Sequence, residues 1–384
     1  MTTTFEVSAP AKALLFGEHA VVYGCTCIAA ALSDIRMCVR ITSQPATPCG
    51  PAIQIVYHDI ASTKDAQPLN RTYQLDALKK VVQDLSDDKH FMPAPSAELL
   101  NRLDRLLELE TPEDAKTLRP ALYLSCALLR HTVLKDRCEQ DTQSLLIETF
   151  AGTFPIGAGL GSSAAFAVAL SGALCGFQHP DQPLELERIN RHAFAAEILL
   201  HGSPSGVDNT IATFGGILKF QKLPVPTFNP LTFDLSKRRF MLINTRIPRS
   251  TKVQVGNVRS LYDAAPAETE AKFHRIEDIA TSFIGLGEQS ELSVEKLGAL
   301  LEENHAILNS LNVGHERLEA VAEICKRYGA YTKLTGAGGG GCAITLLPDD
   351  LPAEQLERLS YELVASECVV YVTALGGDGV VKRV

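Results

Sequence analysis

The segment FPIGAGLGSSAA (154–165) alternates glycine with small residues, adds two serines and runs into an apolar small-residue stretch. Glycine in mid-fold costs conformational entropy, so such a loop marks either a tight turn or a place where backbone meets a ligand. Upstream, SLLIETF (144–150) reads as a buried strand, and downstream SSAAFAVAL reads as a helix. That order leaves the first helical N–H groups without intrahelical partners, and the helix dipole adds partial positive charge there. A phosphate answers both, and glycines let its oxygens reach the backbone. The cradle so defined comprises Gly157, Ala158, Gly159, Leu160, Gly161, Ser162 and Ser163, the serines capping the helix and offering hydroxyls to a metal ion. For the loop alone, a capped tight turn is the alternative.

Four other positions carry chemistry. Glu197 sits in FAAEILL, an apolar helical stretch where an unpaired carboxylate is costly. A metal or a cationic partner explains it, with a structural ion pair as the alternative. Lys12 is followed directly by apolar ALLF, unlike a solvated lysine. Asp208 lies in SPSGVDN, rich in capping types, which leaves a helix N-cap open to it. His19 reads either as a pocket residue or as a core histidine, and His192, His201, His305 and His315 as structural or surface.

A second glycine loop, GAGGGG (336–341), matches the letters of a dinucleotide fingerprint, with Glu357 downstream. Its context fails, because CAITLL follows as a strand where dinucleotide binding needs a helix. GxxxxGK[ST] is absent.

Those residues are carried by 384 positions, enough for about two domains. Hydrophobic content of 46% supports sizeable cores, and a net charge of −9 without a basic stripe argues against nucleic-acid or anionic-membrane partners. Ten cysteines lack CxxC or zinc spacing and read as reduced thiols. No signal-type leader or long apolar run is seen, which places the expectation in the cytoplasm.

The pattern predicts a strand at 35–42 and a loop or irregular excursion over 43–72. Helices are predicted near 74–86, 96–110 and 117–134, and after the glycine loop over 162–176 and 185–200. A strand follows at 215–221, and the proline-rich 222–236 reads as a domain junction. A strand at 238–245, helices up to about 329, the second glycine loop with its strand, and CVVYVTAL complete the chain. Mixed strands and helices in both halves indicate an α+β class.

PAKALLFGEHAVVYG (10–24), PIGAGLGSSAA (155–165) and LTGAGGGGCAITLL (334–347) resemble, in order and spacing, the three motifs of the GHMP kinases. Within that superfamily GEHAVVYG, HGSPSGVDNTIATFGG (201–216) and NTRIPRSTK (244–252) resemble the mevalonate kinase branch. The resemblance implies a two-domain GHMP kinase fold. Residues 1–225 would form a ribosomal protein S5 domain 2-like unit with the ATP phosphate loop, and 226–384 a ferredoxin-like unit. It implies ATP- and Mg²⁺-dependent phosphorylation of the C5 hydroxyl of mevalonate, in isoprenoid and sterol precursor synthesis.

Residue by residue, the resemblance makes Asp208 the catalytic base and Lys12 the cation beside the substrate hydroxyl and the transferring phosphoryl group. Ser163 and Glu197 become Mg²⁺ ligands, and Glu18, His19, Thr251 and Ala337 line the substrate pocket. It further implies a homodimer and a farnesyl-type diphosphate as inhibitor competing with ATP. The excursion at 43–72 aligns with no motif, so no adenine contact is assigned, and Asp378 stands where the family's closing segment has proline, a charge for the dimer or the pocket rim. Two alternatives stand beside this reading. A phosphomevalonate kinase would draw on Lys12, Arg246, Arg249 and Lys252 for its extra phosphate. A non-catalytic ligand sensor tends to lose the base or the metal ligand, whereas Lys12, Ser163, Glu197 and Asp208 are all present.

Overall fold

The first motif starts inside a strand. β1 (Thr4–Phe16) places Phe5, Val7, Ala9, Ala11, Ala13 and Leu15 on one face at the strand period of two, and all six are buried. It pairs antiparallel with the long β2 (Cys27–Pro45), with register shifts between Pro10 and Ala11 and between Leu14 and Phe16. Such irregularities re-aim side chains, and Lys12 lies between the two. Its backbone N–H donates to Leu160 O at 3.0 Å, tying the strand to the glycine loop.

A computed structural model describes residues 3–85, 90–92, 94–134, 143–233 and 235–383. The chain continues through β3 (Ala52–Ala61), β4 (Pro68–Gln74), α1 (Leu75–Val82), α2 (Ala97–Leu106), α3 (Pro112–Leu129) and β5 (Gln143–Phe150). Then come α4 (Ser162–Gln178), α5 (Leu186–His201), α6 (Val207–Phe214), β6 (Ile217–Gln221) and β7 (Thr227–Leu231). The first sheet runs β1-β2-β5-β3-β4, with β6 paired to β2 and β7 to β6. α4 buries Ala164, Ala165, Ala167, Ala169, Gly172 and Ala173, small residues that let its axis lie close to the β1–β2 face.

The second unit is β8 (Phe240–Asn244), α7 (Thr251–Ala264), α8 (Pro266–Glu288), α9 (Val294–Ser310), α10 (Glu316–Lys326), β9 (Tyr331–Thr335), β10 (Cys342–Leu346), α11 (Ala353–Ala365) and β11 (Val369–Thr373). Its four strands form an antiparallel sheet in the order β11-β8-β10-β9. A last short strand, β12 (Val381–Arg383), returns to the first sheet and pairs with β1. One apolar cluster continues from the first sheet and α4 into Phe283, Leu297, Leu301 and Ile344, so the two units share a packed interior.

The α+β class and both glycine-loop contexts are as expected, and the loop expected over 43–72 is corrected. Residues 43–72 are mostly strand, because AIQIVY is a β-branched, apolar run buried except at Gln54 and LNRTYQ alternates inward and outward side chains. The proline-rich 222–236 contains β7, an exposed partner of β6, and β12 adds a strand from beyond residue 225 to the first sheet. The strand at 35–42 is the middle of the longer β2. The predicted helix at 74–86 ends by Val82, and residue 86 lies outside the described residues. Nine described cysteines are free thiols, and Cys138 lies outside the described residues. Among the described residues no helix is long and apolar enough to cross a membrane. Asp378 bridges Gly215 through its backbone and accepts from Arg36 through its carbonyl, and it does not line the cavity described next.

Candidate active site

Three segments far apart in sequence meet at one cavity of about 440 Å³. Its lining includes Lys12, Glu18 and His19 from the first motif, Gly157, Gly159, Gly161, Ser162 and Ser163 from the second, Gly336 and Ala337 from the third, and Asp208, Arg249 and Thr251. A larger cavity of about 850 Å³ lies beside α5 and α6, lined by Arg188, Asn190, Phe194 and Phe228 among others. It holds none of the candidate residues except by sharing α5 and α6, so chemistry rather than size assigns the site.

The glycine loop is built for backbone approach. Gly157, Gly159 and Gly161 have φ of 78°, 81° and 73°, in the left-handed region that glycine adopts without a steric penalty. Gly161, not a serine, is the N-cap of α4 and offers no side-chain acceptor. Ser162 and Ser163 are instead the first two helical residues. The expected serine cap is therefore corrected, and the first α4 amides are left for an external anion.

Beside the loop, Lys12 Nζ lies 3.1 Å from Asp208 Oδ1. The lysine side chain is one-tenth exposed and the aspartate one-third, so the carboxylate faces the cavity while its partner stays covered. Asp208 is not a helix cap: Gly206 holds that place, and Asp208 lies in the first turn of α6. The bulged β1 and the glycine turn before α6 thus supply the two halves of the pair.

Glu197, on α5, is buried with Oε1 lacking any hydrogen-bond partner. Burial pushes its pKa up to about 7, opposed by a hydrogen bond from Ser163. The His201 ring faces it, with Nε2 at 3.7 Å, and that nitrogen also lies 3.2 Å from Ser163 Oγ. Among the described residues no lysine or arginine pairs with the carboxylate, which weakens the ion-pair alternative, and one carboxylate and one hydroxyl offer oxygen donors suited to a hard cation. His201, read from sequence as structural or surface, belongs to the site.

His19 is buried with a left-handed φ of 60°, and its Nε2 lies 2.9 Å from Ala337 O, fastening the first motif to the third. Burial lowers its pKa, which favours the neutral ring. Glu18 also reaches the cavity lining, but its carboxylate pairs with Lys333 and accepts from Asn304 Nδ2 at 3.2 Å. Thr251 opens α7 at the rim.

Arg249 was one of four cations whose direction the sequence left open. It lines the cavity with Lys12, whereas Arg246 and Lys252 are exposed and absent from the lining. Its Nη2 donates to Ala158 O at 3.2 Å, while Nε and Nη1 are buried without partners. Burial lowers its pKa. A Cβ on Gly159 would stand 1.1 Å from Nη2. Gly159→Ala therefore displaces the guanidinium and forces a left-handed alanine, costing about 1–2 kcal/mol. The expected result is a KM for nucleotide raised about tenfold, measured by steady-state kinetics on protein of unchanged helix content.

A second cavity, about 400 Å³, shares Ser162, Ser163 and His201 with the first. Its walls are mostly apolar and include Met37, Tyr57, Pro120, Ile156 and Phe166. It is formed partly by β3, through Tyr57, Asp59 and Ile60.

Known proteins resemble this chain along most of its length. Residues 124–216 match the GHMP kinases N terminal domain and residues 290–362 the GHMP kinases C terminal domain. Mevalonate kinase ERG12 of Gibberella zeae is 36% identical over 99% of this chain and 77% of its own length. The mevalonate kinase of Mus musculus is 33% identical over 97% of this chain and 94% of its own. In structure, L. major mevalonate kinase in complex with R-mevalonate aligns with a TM-score of 0.68, at 22% identity over 98% of this chain and 97% of that one, which supports the fold. With its three motifs converging on one cavity and identity of this level along nearly its whole length, the chain belongs to the mevalonate kinase family of GHMP kinases.

Proposed function

We propose that this chain transfers the γ-phosphoryl group of ATP to the C5 hydroxyl of mevalonate, yielding 5-phosphomevalonate for isoprenoid and sterol precursor synthesis. The observation that carries the reading is the Lys12–Asp208 pair, 3.1 Å apart, at the mouth of a glycine loop whose helix lacks a side-chain cap. The pair lines the first cavity, and the second cavity shares Ser162, Ser163 and His201 with it. The apolar slot suits the adenine ring, and the first cavity suits the small alcohol.

In this reading residues 157–163 hold the phosphates through backbone N–H groups. Asp208 accepts the hydroxyl proton as the new P–O bond forms, and Lys12 stabilises the charge on the attacking oxygen and the moving phosphoryl group. Glu197 and Ser163 fit a Mg²⁺ ion that arrives with the nucleotide, since the unpartnered Glu197 Oε1 supplies a hard oxygen donor. When bound, the ion neutralises charge on the phosphates. Glu18, His19, Thr251 and Ala337 wall the acceptor, and Arg249 supplies a buried cation for its carboxylate. Only Lys12 and Arg249 of the four candidate cations line the cavity, which favours a substrate with one anionic group over one already phosphorylated. The reading also carries a cytoplasmic homodimer competitively inhibited by farnesyl-type diphosphates, checked by light scattering and by inhibition against varied ATP.

ADP release with Mg-ATP and, separately, mevalonate, phosphomevalonate, galactose and homoserine tests the reaction. Turnover of mevalonate alone supports the proposal. Turnover of another alcohol keeps the fold and replaces the function, and silence on all four with ATP still bound points to the sensor.

The elevated Glu197 pKa gives a pH signature. Below about 7 the carboxyl is protonated, and a divalent ion must displace that proton. The KM for metal–nucleotide is expected to rise by up to about tenfold per pH unit below 7 and to level off above it. Because the folded pKa exceeds the unfolded one, this group's contribution to stability without metal is greatest in acid. It is lost as pH rises from about 4.5 to 7. Glu197→Gln is expected to remove both slopes, read by KM against pH and by melting temperature against pH.

A further inference from the structure

Residues 17–26 belong by sequence to the first unit, where Val21 packs, yet the polar and aromatic tethers of this segment run to the second. Glu18 pairs with Lys333 on β9 and accepts from Asn304 on α9. His19 meets Ala337 O. Tyr23 stacks on Phe273 of α8 at 4.4 Å between ring centroids. Thr26 gives its backbone N–H and its hydroxyl to the carboxylate of Glu277. This wall of the acceptor cavity is therefore anchored to the second unit, while Lys12, Asp208 and the glycine loop stand on the first.

Among these tethers Lys333 has the unusual chemistry. Its side chain is fully buried. The ammonium has three acceptors: the Glu18 carboxylate, Leu334 O at 2.6 Å and Leu14 O at 3.4 Å. The neighbouring Leu334 N–H is itself fixed by donation to His305 Nδ1 at 3.2 Å. A buried lysine with an apolar alternative is costly to keep, and removing it leaves the Glu18 carboxylate buried with only Asn304 as partner. Relief comes by turning Glu18 away, which moves His19 out of its left-handed backbone position.

We infer that Lys333 is a positioning residue for the acceptor alcohol: through Glu18 it sets the 17–20 wall of the cavity against the phosphoryl-transfer groups of the other unit. It touches neither substrate and acts on acceptor binding rather than on nucleotide binding. The inference rests on reading this cavity as the mevalonate site, and turnover by the unaltered chain tests that reading separately.

The test compares the unaltered full chain with Lys333→Met, Glu18→Gln and the double variant, using ATP and mevalonate and a melting curve for each. Lys333→Met is expected to raise the KM for mevalonate by about tenfold or more while the KM for ATP stays within about threefold. The two substitutions should couple, so that the double variant is no worse than the more affected single. Additive effects, equal rises in both KM values, or a lowered melting temperature with both KM values intact each overturn the inference. Should Lys333→Met not fold, the isosteric Glu18→Gln alone decides: a rise in the mevalonate KM supports the inference and an unchanged one overturns it.

Discussion

Asp208→Asn is expected to lower kcat by about 10²–10⁴, with the KM for ATP nearly unchanged. Asparagine keeps the shape of the carboxylate and its place in the first turn of α6, so helix content and melting should hold. What disappears is the oxygen able to take the hydroxyl proton as phosphoryl transfer completes. Single-turnover quench-flow with bound ATP separates this step from product release. A variant that keeps near-native kcat would remove Asp208 as the base and leave electrostatics to carry the reaction.

Lys12→Met should cost about 10²–10³ in kcat, the range seen when one preorganised donor is removed from a site of developing charge. Methionine fills the buried stem, but the aspartate 3.1 Å away loses its only close cation among the described contacts. If the two groups act as a unit, Lys12→Met with Asp208→Asn is no slower than the worse single, since effects of coupled groups do not add. Additive losses would instead assign them separate steps. A residual rate well above the uncatalysed one is expected from the glycine loop and Arg249, which neither substitution touches.

How much of this was legible beforehand follows from sequence distance. The β5–loop–α4 unit was readable because its whole logic is local: an apolar strand, glycines, then small helix formers. The strand after the second glycine loop was readable for the same reason, from β-branched and apolar residues in CAITLL. The strands β3 and β4 were hidden because β3 is a short apolar run without a clear alternation, preceded by Gly50 and Pro51, and β4 is short and holds turn-forming proline and asparagine. The serine cap failed because capping type and cap position differ, and Gly161 at φ 73° takes the position. Arg249 finds Ala158 at 91 residues' separation and Lys333 finds Glu18 at 315, and nothing local to either announces its partner. His201 looked like an ordinary helix-end histidine until α4 set Ser163 beside it. Acceptor-wall chemistry is thus a property of the folded pair of units, while phosphate-loop chemistry is written in one continuous segment.

The return of β12 to β1 bears on how the molecule comes into being. Arg383 donates to Ser8 across 375 residues, and Glu6, Val7 and Ser8 take their edge partners from the last strand. A ribosome adding roughly 5–20 residues per second leaves that edge of β1 open for about 20–75 s after the strand emerges. Unpaired edges recruit foreign strands, and this one carries Lys12 only a few residues along. The nascent chain therefore passes through a window in which one edge of its catalytic strand lacks its native partner, and chaperone cover of that edge guards it during synthesis.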